Sequence, residues 1–311
     1  MPLSSPRPLV VAALAATIVL WAAAFVAIRD AVPSFGYGGL ASGRLALAAA
    51  AFGAIALVAR VRRPRRSELP VLAAMGATGY AGYQLLVSAG EQTVPAGTAA
   101  LLLSICPVLA AVLAGPLLGE RLGKRGWAGL LVALGGAALV ALSHHGEHGA
   151  GIGGALLLAA AATVYALWIV LQKRALRTMS PMHATMWATW FGALLALPFA
   201  HDLPVSLGDA PQSGITALLV LGLVLSTVPF LLWAWVLQRT PASVAAPALL
   251  MIGPAGVLLG WLLLGEQPAP LALAGGAITL AGVAAVQLRG PLRLPRVRVA
   301  PVVREPAPQH A

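Results

Sequence analysis

The chain has 311 residues, 59% hydrophobic and only 9% charged, with a mean hydropathy of +0.89 and a formal net charge of +11. Soluble domains carry roughly 25% charged residues, so this supply cannot cover a water-exposed surface, and a soluble enzyme or binding module is excluded. What remains is an all-α polytopic membrane protein, whose length is counted in membrane spans.

Crossing roughly 30 Å of hydrocarbon takes about 20 mostly apolar residues. Ten such runs follow one another, at about 9–28, 38–59, 69–90, 96–117, 126–142, 151–171, 181–199, 214–237, 242–264 and 270–288. Their connections are short, the longest being 200–213, and none is large enough for an extramembrane domain. Residues 1–8 are an N-terminal tail, and 143–150 link two halves of five spans each, 9–142 and 151–288. The tail 289–311 is basic and proline-rich with no helical period, the pattern of a disordered segment. The first run has features of a signal peptide, with Arg7 ahead of it and small residues at Ala22–Ala24. It is read as retained, because the second half contains its counterpart. The lone Cys106 rules out an intrachain disulfide and reads as a small packing residue.

The charges fall on one side. With the N-terminus cytoplasmic, inner segments hold 18 of the 20 basic residues, including the run at 60–66, and six of the nine acids lie outside. Lys and Arg gather in short cytoplasmic loops, so the basic excess is a topology signal with both termini inside, in the cell membrane. Nucleic acid is not an expected partner; the lipid bilayer is, and RVRRPRR at 60–66 is a topology anchor that also suits anionic lipid.

The two halves repeat. PAGTAALLLSICPVLAAVLAGPLLGE, from Pro95 to Glu120, returns as PASVAAPALLMIGPAGVLLGWLLLGE, from Pro241 to Glu266. Pro95/Pro241 lie 146 positions apart, Pro107/Pro254 147, and Glu120/Glu266 146. Span one (19–29) aligns with span six (163–173) at an offset of 144, pairing Trp21 with Tyr165 and Arg29 with Lys173. Span five aligns with span ten through Gly129/Gly276 and Gly135/Gly282. Because five is odd, the copies enter the membrane from opposite sides and form inverted-topology repeats. Such repeats with proline-interrupted spans at matching places point to a transporter and a midplane site at the repeat interface.

The P-V-L-A…L-L-G-E-R run at 107–121, its partner ending W-L-L-L-G-E, Arg44 in span two and the paired five-helix halves resemble the EamA-type drug/metabolite transporter superfamily over about residues 9–288. The resemblance implies alternating access and movement of small metabolites, commonly outward, and leaves the substrate open.

The candidate site residues are polar or aromatic groups inside spans. Pro107 and Pro254 remove an amide hydrogen, which frees the carbonyls of Leu103 and Leu250, and Ser104 stands one turn away. They are read as helix breaks and gating elements, or as simple kinks. Span three carries a stripe of Tyr80, Tyr83 and Gln84, and Gln84 is costly against lipid, so it faces the interior. Trp21 on span one, Tyr165 and Trp168 on span six, and Ser226, Phe230 and Trp233 on span eight are cavity candidates or packing groups. Arg44 is the one cation well inside a span. It either pairs with Glu91 or Asp30 at the same level, the favoured expectation, or binds a substrate carboxylate. Glu120 and Glu266 suit helix capping, each at the start of the span that follows it. No nucleophile–base pattern occurs, so no catalytic residue is assigned and an intramembrane enzyme is the remote alternative. HHGEHG at 144–149 is short and unsupported, so no metal and no cofactor are expected. The expected function is export of amino acids or related amphipathic compounds, with uptake of sugars or other small solutes as the rival. A homodimer stays open.

Overall fold

A computed structural model describes residues 7–59, 61–90, 103, 105–120, 122–142, 152–264 and 269–287. Among these residues every regular element is helical. The protein is a polytopic bundle of ten transmembrane helices, arranged as two five-helix repeats of inverted topology.

Spans one and two run through helix Arg7–Ala59, which bends at Gly36. There φ is 61°, a left-handed backbone that glycine adopts without steric cost, so the turn between the spans needs no loop. Span three is composite: helix Leu69–Met75, a π-helical stretch Gly76–Gly82, then helix Tyr83–Gly90. Span four is represented by Cys106–Leu118, span five by Lys124–Leu142, span six by Ile152–Ala175 and span seven by Pro181–Ala196. The connection at 200–213 folds a short helix, Leu203–Asp209, bent by 83° from span seven. Span eight joins Gln212–Val220 to Val228–Arg239 through a π-helical stretch, Leu221–Leu225. Span nine starts as Ala242–Ala245, tightens into a 3-10 stretch Ala246–Met251 and continues as Ile252–Leu264. Span ten is Pro270–Gln287.

These interruptions explain why length alone identifies few complete crossings. Among the described residues, Ala31–Val58, Ile152–Ala175 and Gln212–Arg239 are each long and apolar enough to span a membrane. Shorter apolar helices such as Cys106–Leu118 and Leu273–Val286 are parts of the other spans. The outer surface carries Leu57 and Val58, 86% and 87% exposed, with Ile152, Leu156 and Leu262 also open. Hydrocarbon, which needs no polar cover, suits such a surface.

The prolines that mark the duplicated segment open helices. Pro107 is the second residue of Cys106–Leu118, and Pro254 the third of Ile252–Leu264. A proline in a free first turn costs no hydrogen bond, which describes Pro107, whereas Pro254 follows directly on the 3-10 stretch Ala246–Met251. In the ninth span the irregular backbone precedes Pro254, and Pro254 lies against Gly276 of span ten. Ser104 lies outside the described residues.

The repeats interlock. Spans one and two pack on spans eight and nine, span three on six and seven, and span five along span ten. In hydrocarbon there is no hydrophobic drive between helices, so close approach of small residues must supply the contact. A Cβ on Gly136 would stand 2.4 Å from the Thr279 amide nitrogen, and one on Gly282 2.3 Å from that of Ala133. Gly282→Leu therefore forces spans five and ten apart. We expect it to destabilise the protein by about 1–3 kcal/mol, read as a lower melting temperature in detergent. An unchanged melting temperature would show that this crossing bears no load.

The basic run between spans two and three is folded onto the bundle. Arg62 Nη1 donates to Glu68 Oε2 at 2.8 Å, the Arg65 amide donates to the same oxygen at 2.8 Å, and His183 Nε2 of span seven lies 3.5 Å from it. The Arg62 hydrogen bonds lower the Glu68 carboxyl from its ordinary value of 4.5 to about 2, the Arg65 amide adding to the effect. A depressed carboxyl stabilises the fold above its unfolded value and loses that contribution as pH falls through the folded value. Glu68→Gln should thus melt below wild type at pH 7, with the gap closing from about pH 4.5 to 2. A gap independent of pH would exclude this linkage.

Candidate substrate site

Arg44 meets residues of both repeats. Its Nη1 donates to Gln84 Oε1 at 2.9 Å, and its Nε and Nη2 donate to Ser226 Oγ at 3.0 and 2.9 Å. Arg44 is 6% exposed, Gln84 7% and Ser226 2%. Both partners are neutral. A guanidinium has five N–H groups, so one on each terminal nitrogen has no partner among the described residues. The sequence favoured an ion pair with Glu91 or Asp30; Glu91 and the side chain of Asp30 lie outside the described residues. Among those described, no carboxylate reaches Arg44.

Local backbone irregularity brings the three together. A π turn holds one residue more than an α turn allows, which re-aims the side chains that follow it. In span three the stretch ends at Gly82, and Tyr80 and Gln84 both face inward. In span eight the stretch ends at Leu225, so Ser226 occupies the gap before helix Val228–Arg239. Gly222 allows that gap to lie on span two, since a Cβ there would be 2.4 Å from Leu47 Cβ and 3.1 Å from the Arg44 carbonyl.

Beside the polar cluster runs a continuous row of rings. Trp21 lies 6.0 Å from Trp233 and 5.4 Å from Phe230, between ring centroids. Phe230 stacks on Tyr80 at 4.8 Å and meets Trp168 edge-on at 5.6 Å. Trp168 is 4.9 Å from Tyr165, and Tyr165 is 4.3 Å from Tyr83. Gln84 follows Tyr83 in the chain, which joins the rings to the Arg44 cluster. Every candidate side chain among the described residues except the two prolines thus falls in one assembly on spans one, two, three, six and eight. The row is packed shut, with Trp168 and Trp233 0% exposed.

Several contributors were not visible in the residue pattern. A Cβ on Gly79 would stand 2.1 Å from Trp168 Cγ, so the missing side chain is the seat of that indole. Gln172, one turn along span six from Trp168, is fully buried, and among the described residues neither its amide atoms nor the indole nitrogens of Trp168 and Trp233 have a hydrogen-bond partner. The available signal for Gln172 was a carboxamide inside an otherwise apolar helix. HHGEHG lies outside the described residues, and those described contain no metal-binding cluster.

Gly79→Ala is expected to displace Trp168 and shift its tryptophan fluorescence, with loss of transport but retained membrane abundance. Unshifted fluorescence would mean that the indole does not depend on this seat.

The chain is 37% identical to a protein of Streptantibioticus cattleyicolor named "Probable terminal-alkyne amino-acid exporter", over 89% of this chain and 93% of that one. It is 29% identical to a Salmonella typhimurium protein named "Probable amino-acid metabolite efflux pump", over 61% and 66% respectively. A crystal structure superposes with a TM-score of 0.72 over 91% of this chain and 99% of the other, at 21% identity, which establishes a shared fold. The EamA-like transporter family matches residues 8–142 and again 152–288. The two matches cover nearly the whole bundle, and the chain belongs to the EamA-like transporter family of small-metabolite transporters.

Proposed function

We propose that this protein is a secondary carrier of the cell membrane that exports carboxylate-bearing amphipathic metabolites, amino acids or their derivatives, by alternating access. The observation that carries this reading is Arg44, a buried cation held only by neutral groups among the described residues. A charge removed from water requires hydrogen bonds and, best, an opposite charge. A cargo carboxylate supplies both, and an arginine fork presents two N–H groups to its two oxygens. The neighbouring rings offer an apolar surface for the rest of the molecule, and the names of two relatives point the same way. The position of the basic residues supports a bundle with both termini in the cytoplasm.

In this mechanism cargo binds where the repeats meet. Gln84 belongs to the first repeat and Ser226 to the second, and both hold the same guanidinium. A carboxylate that displaces Gln84 breaks a bond within the first repeat, whereas one that displaces Ser226 exchanges the bonds between repeats for a bond to cargo. The interface is thereby loosened at the moment of binding, which is what a carrier requires.

The experiment is an export assay over a panel of amino acids and their methyl esters, in cells that express the protein. We expect carboxylates to be exported and esters not. Arg44→Gln should reduce export by about tenfold or more, consistent with loss of a charge-assisted pair, and Gln84→Leu should impair it, both at normal membrane abundance. Equal export of acids and esters, or full activity in Arg44→Gln, would remove Arg44 from the site.

A further inference from the structure

At the far end of the bundle from Arg44, spans four, six, eight and nine are tied together by polar contacts. Span four ends at Gly119, whose φ of 72° turns the chain back and directs Glu120 into the bundle. Glu120 is 9% exposed, and its Oε2 accepts from the Ser243 amide at 3.0 Å and from Ser243 Oγ at 3.2 Å. The capping expectation had placed this carboxylate at the start of span five. It instead serves the start of span nine, where Pro241 has no side chain able to cap. Arg177 Nη2, beyond span six, donates to the Leu118 carbonyl at 2.9 Å. Lys173 Nζ donates to the Leu237 and Thr240 carbonyls at 2.5 and 2.7 Å, fastening span six to the end of span eight.

Two of these ties, Glu120 to Ser243 and Arg177 to Leu118, join the first repeat to the second. The buried face behind them holds the unpartnered amide of Gln172 next to Lys173, and then the ring row. A polar group buried without a partner is costly, which suits a path lining that meets water or cargo in another state of the protein.

We propose that Glu120, Ser243, Arg177 and Lys173 form the closed gate at this end of the transport path, with Glu120 as its principal latch. The proposal rests on the carrier reading but needs no knowledge of the cargo. Gating of this kind is a two-state equilibrium, and removing an interaction made in one state shifts population to the other. The contacts sealing this end are mainly charge-assisted hydrogen bonds to backbone atoms, which separate with little repacking of side chains. Pro107 lies in the first turn of helix Cys106–Leu118, at the opposite end from Glu120.

The protein contains its own reporter. Cys106 is the one cysteine of the chain, is 5% exposed, and lies in the same core as Tyr165. The experiment measures the rate at which a membrane-impermeant maleimide labels Cys106, in spheroplasts and in inverted membrane vesicles, which present opposite faces. Glu120→Ala and Arg177→Met are expected to raise the rate about tenfold from the face bearing Glu120 and to leave the other face unchanged, as a biased two-state gate requires. Glu120→Gln, which keeps an acceptor oxygen, should raise it less. His201→Ala, in an exposed pair with Asp202, should have no effect.

Labelling at the wild-type rate in folded Glu120→Ala and Arg177→Met would overturn the gate. So would an equal increase from both faces, since general loosening has no sidedness. If Glu120→Ala fails to fold, Glu120→Gln and Arg177→Met decide the matter alone. A one-sided increase combined with undiminished export in Arg44→Gln would keep the gate and reject the carboxylate site.

Discussion

A guanidinium enclosed in a bundle surrounded by lipid is the constraint on which the rest of this structure depends. Arg44 cannot face hydrocarbon, so the spans around it must supply acceptors, and they do so from both repeats. That requirement accounts for features otherwise hard to explain. Gly222 brings span eight against span two, Ser226 sits in a break of its helix, and Gln84 follows a π-helical stretch. Each is a local departure from ideal geometry, and each puts a polar atom within reach of one charge.

Most of the fold was legible in the sequence because hydrophobic length and charge placement are properties of composition. Ten apolar runs and their inverted pairing follow from counting and from the repeat, while the close approach at Gly282 does not. The site was legible in its membership more than in its geometry. Trp21, Tyr80, Gln84, Trp168, Ser226 and Trp233 stand out as polar or aromatic groups in apolar helices. Which of them touch depends on helix rotation, and the π stretches alter that rotation without any signature residue. The prolines drew attention to spans four and nine, whereas the π stretches that aim candidate site residues lie in spans three and eight. Glu120 illustrates the same limit. Its fitness to cap a helix was readable, but the helix it caps is 123 positions away.

The repeat also divides the molecule's labour. The two π stretches begin at Gly76 and Leu221, 145 positions apart, within the range of offsets that relate the halves. Such matched irregularities belong to the frame, and a frame built twice can adopt two equivalent arrangements by exchanging the roles of its halves. The polar site does not share this symmetry. Span seven has no Lys or Arg to answer Arg44, and the apolar stretch 214–237 of span eight has no Asn or Gln to answer Gln84. In the proposed mechanism recognition rests on residues found once, while movement rests on elements found twice.

That separation bears on how binding and gating communicate. The Arg44 cluster and the Glu120 end both connect the repeats, yet they share no residue and stand at different levels of the same bundle. A carrier in which both sets stayed closed would be locked, and one in which both opened together would leak. In the proposed mechanism the bonds between repeats are distributed over two levels, and cargo that takes over the Arg44–Ser226 bonds weakens one set while the other still seals the path. The energy difference between the states then stays at the level of a few hydrogen bonds, a scale at which a ligand of ordinary affinity can shift the balance. Replacing either set with well-packed apolar contacts would make the bundle more stable and less able to move.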